Sequence, residues 1–160
     1  MTRICFVCLG NICRSPTAEG IMHHLVNEKG WSDRIHIDSA GTGNWHVGKP
    51  ADERARATAQ GHGIELLSRA RQFQPSDFDN FDYLVVMDQR NRSNVLDMAP
   101  DDAAKAKVRM MRSFDAQSPA DADVPDPYHA GEEGFEQVFQ ICKSACEGLL
   151  KHIEEHHSAI

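Results

Sequence analysis

Within the stretch VCLGNICRSPTAEG, Val7 to Gly20, the eight residues from Cys8 to Ser15 hold two cysteines, a glycine, an arginine and a serine. A thiol and a guanidinium with five residues between them, around a glycine, can do a specific kind of chemistry. A strand-to-helix turn containing Gly10 can aim the amides of Leu9, Gly10, Asn11, Ile12, Cys13 and Arg14 at one point. The following helix adds unpaired N–H groups and the positive end of its dipole. That is an anion site, suited to phosphate. Arg14 contributes a planar fork that pairs with two phosphate oxygens at once. Cys8, at the end of the preceding apolar run, sits under the same positive potential, where a thiolate nucleophile is favoured. In this reading Cys8 attacks phosphorus, the loop amides hold the equatorial oxygens and Arg14 stabilises the transition state. Ser15 can hydrogen-bond the thiolate and so help its later expulsion.

A phenol leaving group, with a pKa of ~10, has to be protonated as it departs. Asp115, Asp121, Asp123 and Asp126 are candidate acids, all in the segment between Arg112 and Gly134. Asp126 stands between Pro125 and Pro127, which fix the backbone around it, and Tyr128 follows, able to lie against an aromatic substrate. Residue chemistry alone leaves the choice among the four open.

The elements that must position these groups follow from the pattern. Ile4 to Cys8 is a continuous apolar run, expected of a strand buried on both faces. A helix is expected next, with Ser15 as N-cap, Pro16 in the first helical position, Ala18, Ile21, Met22, Leu25 and Val26 on one face, and Gly30 as its stop. Further strands are expected at Arg34–Ser39, Asp82–Asp88 and Lys107–Met111. Helices are expected at Pro50–Gln60, from Asp88 to Ala99, and along an amphipathic segment from Phe135 to Ile153. Alternating strands and helices predict an α/β sandwich around a parallel sheet, with ligands at the carboxyl ends of the strands. The Asp- and Pro-rich segment from Arg112 to Gly134 reads as a long functional loop.

The 160 residues read most simply as one domain, 1–160, with the last few residues a loose tail. A net charge of −7 without a dense Lys/Arg run argues against a nucleic-acid partner. No apolar stretch approaches the ~18 residues of a membrane span. Five cysteines, an odd number unevenly spread, point to free thiols in a reducing cytoplasm.

The motif CLGNICRS with the later PDPY resembles the low-molecular-weight protein tyrosine phosphatases. The likeness extends to Ser39-Ala40-Gly41-Thr42, the Trp45 loop, Arg69-Ala70-Arg71-Gln72 and Met87-Asp88, nearly the whole chain. It implies a four-stranded parallel sheet flanked by helices, with a phosphate-binding loop after the first strand. It implies Cys8 as nucleophile, Arg14 as phosphate clamp and Asp126 as general acid and then base. Asn11 would brace the loop and Ser15 support the thiolate, while Trp45 and Tyr128 wall the cleft for a phenyl ring beside Ile12. Phosphotyrosine proteins would be the substrates and inorganic phosphate the product, with no cofactor or metal. Two positions depart from the pattern. His129 stands where some relatives carry a second aromatic, which bears on peptide preference, and Ser68 stands where some carry histidine.

Competing readings are weaker. Cys5 and Cys8 form C-x2-C, but positions i and i+3 of a strand face opposite sides, and no second ligand pair follows at zinc spacing. Cys5 is expected in the core, as are Cys142 and Cys146 on the last helix. Cys13, in the same loop as Cys8, can form a reversible disulfide with it, a role the resemblance supports. His152 and His156 read as part of a solvated C-terminal tail. Asp121, Asp123 and Asp126 lack the glycine and glutamate of a calcium loop. An arsenate reductase needs further thiols near the site, and none occurs between Cys13 and Cys142. A phosphoarginine phosphatase favours a smaller polar residue where Ile12 stands, and a non-catalytic phosphate-binding module does not need Cys8 together with Asp126.

Overall fold

Residues 4–8 alternate between two separate cores, which makes their strand the centre of the molecule. In the computed structural model, which describes residues 1–157, β1 (Thr2–Cys8) sends Ile4, Phe6 and Cys8 to one side and Cys5 and Val7 to the other. Cys5 and Cys8 therefore face opposite ways, as strand geometry requires. β2 (Ile35–Gly41), β3 (Tyr83–Val86) and β4 (Val108–Met110) complete a four-stranded sheet in the order β2-β1-β3-β4. All three pairings are parallel, with Val7 flanked by Ala40 and Val86 and Cys8 opposite Gly41. The chain leaves β1 towards one neighbour and later returns on its other side. This places the end of β1 at the switch point where open α/β sheets bind ligands.

One face of the sheet is covered by α1 (Arg14–Glu28), α2 (Glu53–Gly61) and α6 (Glu132–His156). The other carries α3 (Asp77–Asn80), α4 (Gln89–Met98) and α5 (Asp102–Lys105). This is the expected three-layer sandwich. Along α6, Phe135, Val138, Phe139, Cys142, Cys146, Leu149, Leu150 and Ile153 are all buried at helical spacing. Each such large side chain stabilises the fold by roughly 1.5–3 kcal/mol. A 3-10 turn, Met111–Phe114, presses against α6 at Gly148, where a Cβ would stand 1.8 Å from the Phe114 carbonyl oxygen.

Several boundaries differ from expectation. α1 starts at Arg14 with Cys13 in the N-cap position and no side-chain cap. Ser15 is not the cap because its hydroxyl is engaged by Cys8 and Asn11. Pro16 is consequently the third helical residue, not the first. α2 begins at Glu53, capped by Asp52, while Pro50 forms an antiparallel bridge with Arg69. The four-residue helices α3 and α5 were not anticipated. His152 and His156 belong to α6 and not to a tail: their rings stack at 4.1 Å, and His152 meets Phe114 and Tyr83 edge-on. The expected loose tail lies beyond His157, outside the described residues. No described helix is long and apolar enough to cross a membrane.

Candidate active site

Between β1 and α1 the chain turns so that four of its carbonyls are engaged by neighbouring segments. Those of Cys8, Leu9, Ile12 and Cys13 accept from Thr42, Gly43, Asp52 and Thr17 respectively. Among the described residues, the amides of residues 9–14 have no protein acceptor. A loop with occupied carbonyls and free amides is an anion cradle.

Its shape is held by Asn11, buried and in the left-handed region at φ 55°. Asparagine tolerates that conformation better than most residues. The Asn11 amide donates to Ser15 Oγ at 2.8 Å and to Ser39 Oγ at 2.9 Å, and its Oδ1 accepts from the Arg71 amide at 3.0 Å. With an acceptor site of Ser15 filled, its hydroxyl is directed at Cys8 Sγ, 3.0 Å away. Ser39 in turn donates to the buried carboxylate of Glu19. A polar chain thus runs from Glu19 through Ser39, Asn11 and Ser15 to the thiol.

Arg14 is 3% exposed. Its Nη1 donates to Asp88 Oδ2 at 2.6 Å and to the Val124 carbonyl at 3.0 Å, and its Nη2 lies 3.7 Å from Asp126 Oδ2. Burial acts against the charge, but Cys8 and Asp88 outweigh it and hold the guanidinium above its ordinary pKa. Asp88 has a second task, since its other oxygen caps α4 by accepting from the Asn91 amide at 2.7 Å.

A cleft of about 220 Å³ opens over the loop, lined by Cys8, Leu9, Gly10, Ile12, Cys13 and Arg14 on its floor. Its walls are Trp45, His46, Asp126, Tyr128 and His129. The Trp45 indole lies across Gly43, where any Cβ would overlap the ring. Trp45 and Tyr128 are both exposed, so neither serves the core.

A sequence profile described as "Low molecular weight phosphotyrosine protein phosphatase" matches residues 3–159. The chain belongs to that family. A low molecular weight protein-tyrosine-phosphatase of Streptomyces coelicolor is 44% identical over 154 residues, covering 96% of this chain and 94% of that protein. The crystal structure of a protein tyrosine phosphatase from Entamoeba histolytica, with Hepes in its active site, superposes with a TM-score of 0.93 at 40% identity. It covers 98% of this chain and 99% of the other. YfkJ from Bacillus subtilis superposes at 0.92 with 39% identity, over 98% and 97% of the two chains. The phosphatase family is one of phosphoric monoester hydrolases, and this chain is an enzyme of that class.

Of the four candidate acids in this phosphatase, only Asp126 lines the cleft. Asp123 accepts from the Gln89 amide at 3.0 Å, and Asp115 from the Gln117 amide at 3.0 Å. Asn11 and Ser15 lie behind the loop and act on its shape. Cys13 borders the cleft but is nearly buried. Its burial, with the nearby charges of Asp52 and Cys8, pushes its pKa above the ordinary thiol range. All five cysteines are free thiols. Cys142 shares the core with Cys8, where burial pushes its thiol up to about 12, so it is held as an uncharged packing group. Among the described residues no cluster of His, Cys, Asp or Glu is gathered to hold a metal ion.

Glu19, Asp88 and His46 were not singled out from sequence for the site. An acid directly after a buried strand was a usable signal for Asp88. Glu19 reads as an ordinary helix residue, and His46 carries no local signal at all.

Proposed function

We propose that this phosphatase hydrolyses phosphotyrosine in protein substrates, and related aryl phosphate monoesters, through a phosphocysteine intermediate. The Cys8 thiolate attacks phosphorus as the bond to the aryl oxygen breaks, and Asp126 gives its proton to the departing phenolate. The loop amides and Arg14 hold the three phosphoryl oxygens as charge shifts among them. In the second step Asp126, now a carboxylate, takes a proton from water as the water attacks phosphorus. Inorganic phosphate leaves, and Cys8 departs as a thiolate facing the Ser15 hydroxyl. Ile12, Trp45 and Tyr128 receive the ring, and the apolar Ile12 at the cleft floor favours an aryl substrate. We read 1–160 as a single domain working in a reducing cytoplasm, in keeping with its free thiols.

One observation carries the reading: Cys8, Arg14 and Asp126, from opposite parts of the sequence, border the same cleft. The test is phenyl phosphate turnover with EDTA present. Native protein should be active and Cys8→Ser inactive. Asp126→Asn should be slower by about 10²–10⁴-fold, the usual worth of a general acid, while substrate still binds. An active Cys8→Ser variant would overturn the mechanism, and an unimpaired Asp126→Asn would remove Asp126 as the acid.

A further inference from the structure

The loop carrying Asp126 is tied down unevenly. Up to Val124 it is fixed by bonds to the body of the protein. Gln89 donates to Asp123 and to the Asp121 carbonyl, Arg112 and Arg14 to the carbonyls of Asp123 and Val124, and the Val124 amide to the Met87 carbonyl. The next six residues, 125–130, differ. Among the described residues their hydrogen bonds stay inside the turn, from the Tyr128 amide to Asp126 Oδ1 and from the Ala130 amide to the Pro127 carbonyl. Arg14 lies beyond ordinary hydrogen-bond range of Asp126 at 3.7 Å.

Facing this turn from outside are His46, whose ring centre lies 6.3 Å from that of Tyr128, and, more closely, Arg54 in the first turn of α2. Its guanidinium carbon lies 5.4 Å from the centre of the Tyr128 ring and 4.6 Å from that of Phe135, the anchor at the start of α6. The cation is clamped from behind by Asp52, with Nε to Oδ1 at 3.1 Å and Nη2 to Oδ2 at 3.0 Å. Burial works against charge on Asp52, but the Arg54 bonds outweigh it and hold its pKa below the usual carboxylate value. The Asp52 amide donates to the Ile12 carbonyl at 2.8 Å. A continuous path therefore joins the phosphate loop to the acid: Ile12, Asp52, Arg54, Tyr128, Asp126.

We propose that Arg54 is a positioning residue, holding Tyr128 and hence the Asp126 turn in register with the phosphate loop. The inference rests on the mechanism above. A planar guanidinium suits the task because it can stack on an aromatic ring while both edges of its fork hold one carboxylate. Lysine offers neither the plane nor the fork. An exposed arginine in a helix's first turn, where the dipole disfavours cations, otherwise has little reason to be held so firmly.

A general acid matters more as the leaving group becomes more basic. kcat/KM is therefore measured for phenyl phosphate and for p-nitrophenyl phosphate, whose phenol is the stronger acid. Arg54→Ala and Arg54→Lys are expected to lose about tenfold on phenyl phosphate and about threefold or less on p-nitrophenyl phosphate. Combining Arg54→Ala with Tyr128→Ala should cost little more than Tyr128→Ala alone, because the two act along one path. Equal losses on both substrates, no loss, or full rescue by lysine would each overturn the positioning role in an enzyme that is otherwise active. Native protein without Cys8-dependent turnover would instead remove the proposed mechanism, and this inference with it.

Discussion

Cys8 and Cys13 share one loop but differ in electrostatic setting. Cys8 has the Ser15 hydroxyl and the free amides around it, whereas burial and the Asp52 charge keep Cys13 a neutral thiol. Peroxide should therefore reach chemistry at Cys8 first, converting it to a sulfenic acid. The Cys13 sulfur can then attack the Cys8 sulfur, forming a disulfide and releasing water. Peptide mapping after mild peroxide is expected to show the Cys8–Cys13 link, with activity regained on reduction. Cys13→Ser should instead accumulate sulfinic or sulfonic acid at Cys8 and stay inactive. Sulfonic acid at Cys8 of the native protein, with no such link, would count against this shield. Cys8 and Arg14, the proposed nucleophile and clamp, were legible in the sequence because each is a reactive type in a distinctive local setting. Residue chemistry left Asp126 one of four acids, and of those four it is the one that lines the cleft. Glu19 and Arg54 were not legible, since nothing local distinguishes a buried polar relay or a stacked cation from a solvated helix charge.

α6 illustrates what an element must provide beyond its apolar stripe. The stripe was readable from the period of Phe135 to Ile153, and β1 from its unbroken apolar run. The helices α3 and α5 were not, because four residues are too few to display a helical period. Gly148 was equally silent, yet α6 depends on it. Replacing it with alanine should raise helix propensity by ~1 kcal/mol. The added methyl would meet the Phe114 carbonyl at 1.8 Å, a backbone atom that cannot swing aside. Overpacking of this kind costs about 1–3 kcal/mol or more. Gly148→Ala is therefore expected to lower the urea midpoint, and an unchanged or raised midpoint would show that the Met111–Phe114 turn yields freely.

At the scale of the whole molecule, α6 is fastened to the far end of the sheet by rings. Tyr83 on β3 donates or accepts a 2.8 Å bond with His157, and His152 packs among Tyr83, Phe114 and His156. Burial first, then the neighbouring His156 and Arg109, depress the pKa of His152, with Glu155 opposing. Below its ordinary value of ~6.5, the unfolded chain takes up a proton that the folded one resists. Stability should therefore rise with pH through that window, be lost as pH falls below about 6.5, and level off above it. Denaturant midpoints at pH 5.5 and 7.5 should differ, and less so in His152→Phe; an undiminished difference in the variant would assign the effect elsewhere.

The bond from Arg14 to the Val124 carbonyl spans 110 residues of sequence. During synthesis the phosphate loop emerges early, but its buried guanidinium has no Val124 or Asp88 to meet until most of the chain has followed. Closing so long a loop is entropically slow relative to local helix formation. The chain can thus complete α1 while Arg14 still lacks both of its partners, Asp88 and the Val124 carbonyl. Under the proposed mechanism competence arrives late and together with the completed sheet, so a partly made chain carries the Cys8 thiol without the acid proposed to work with it.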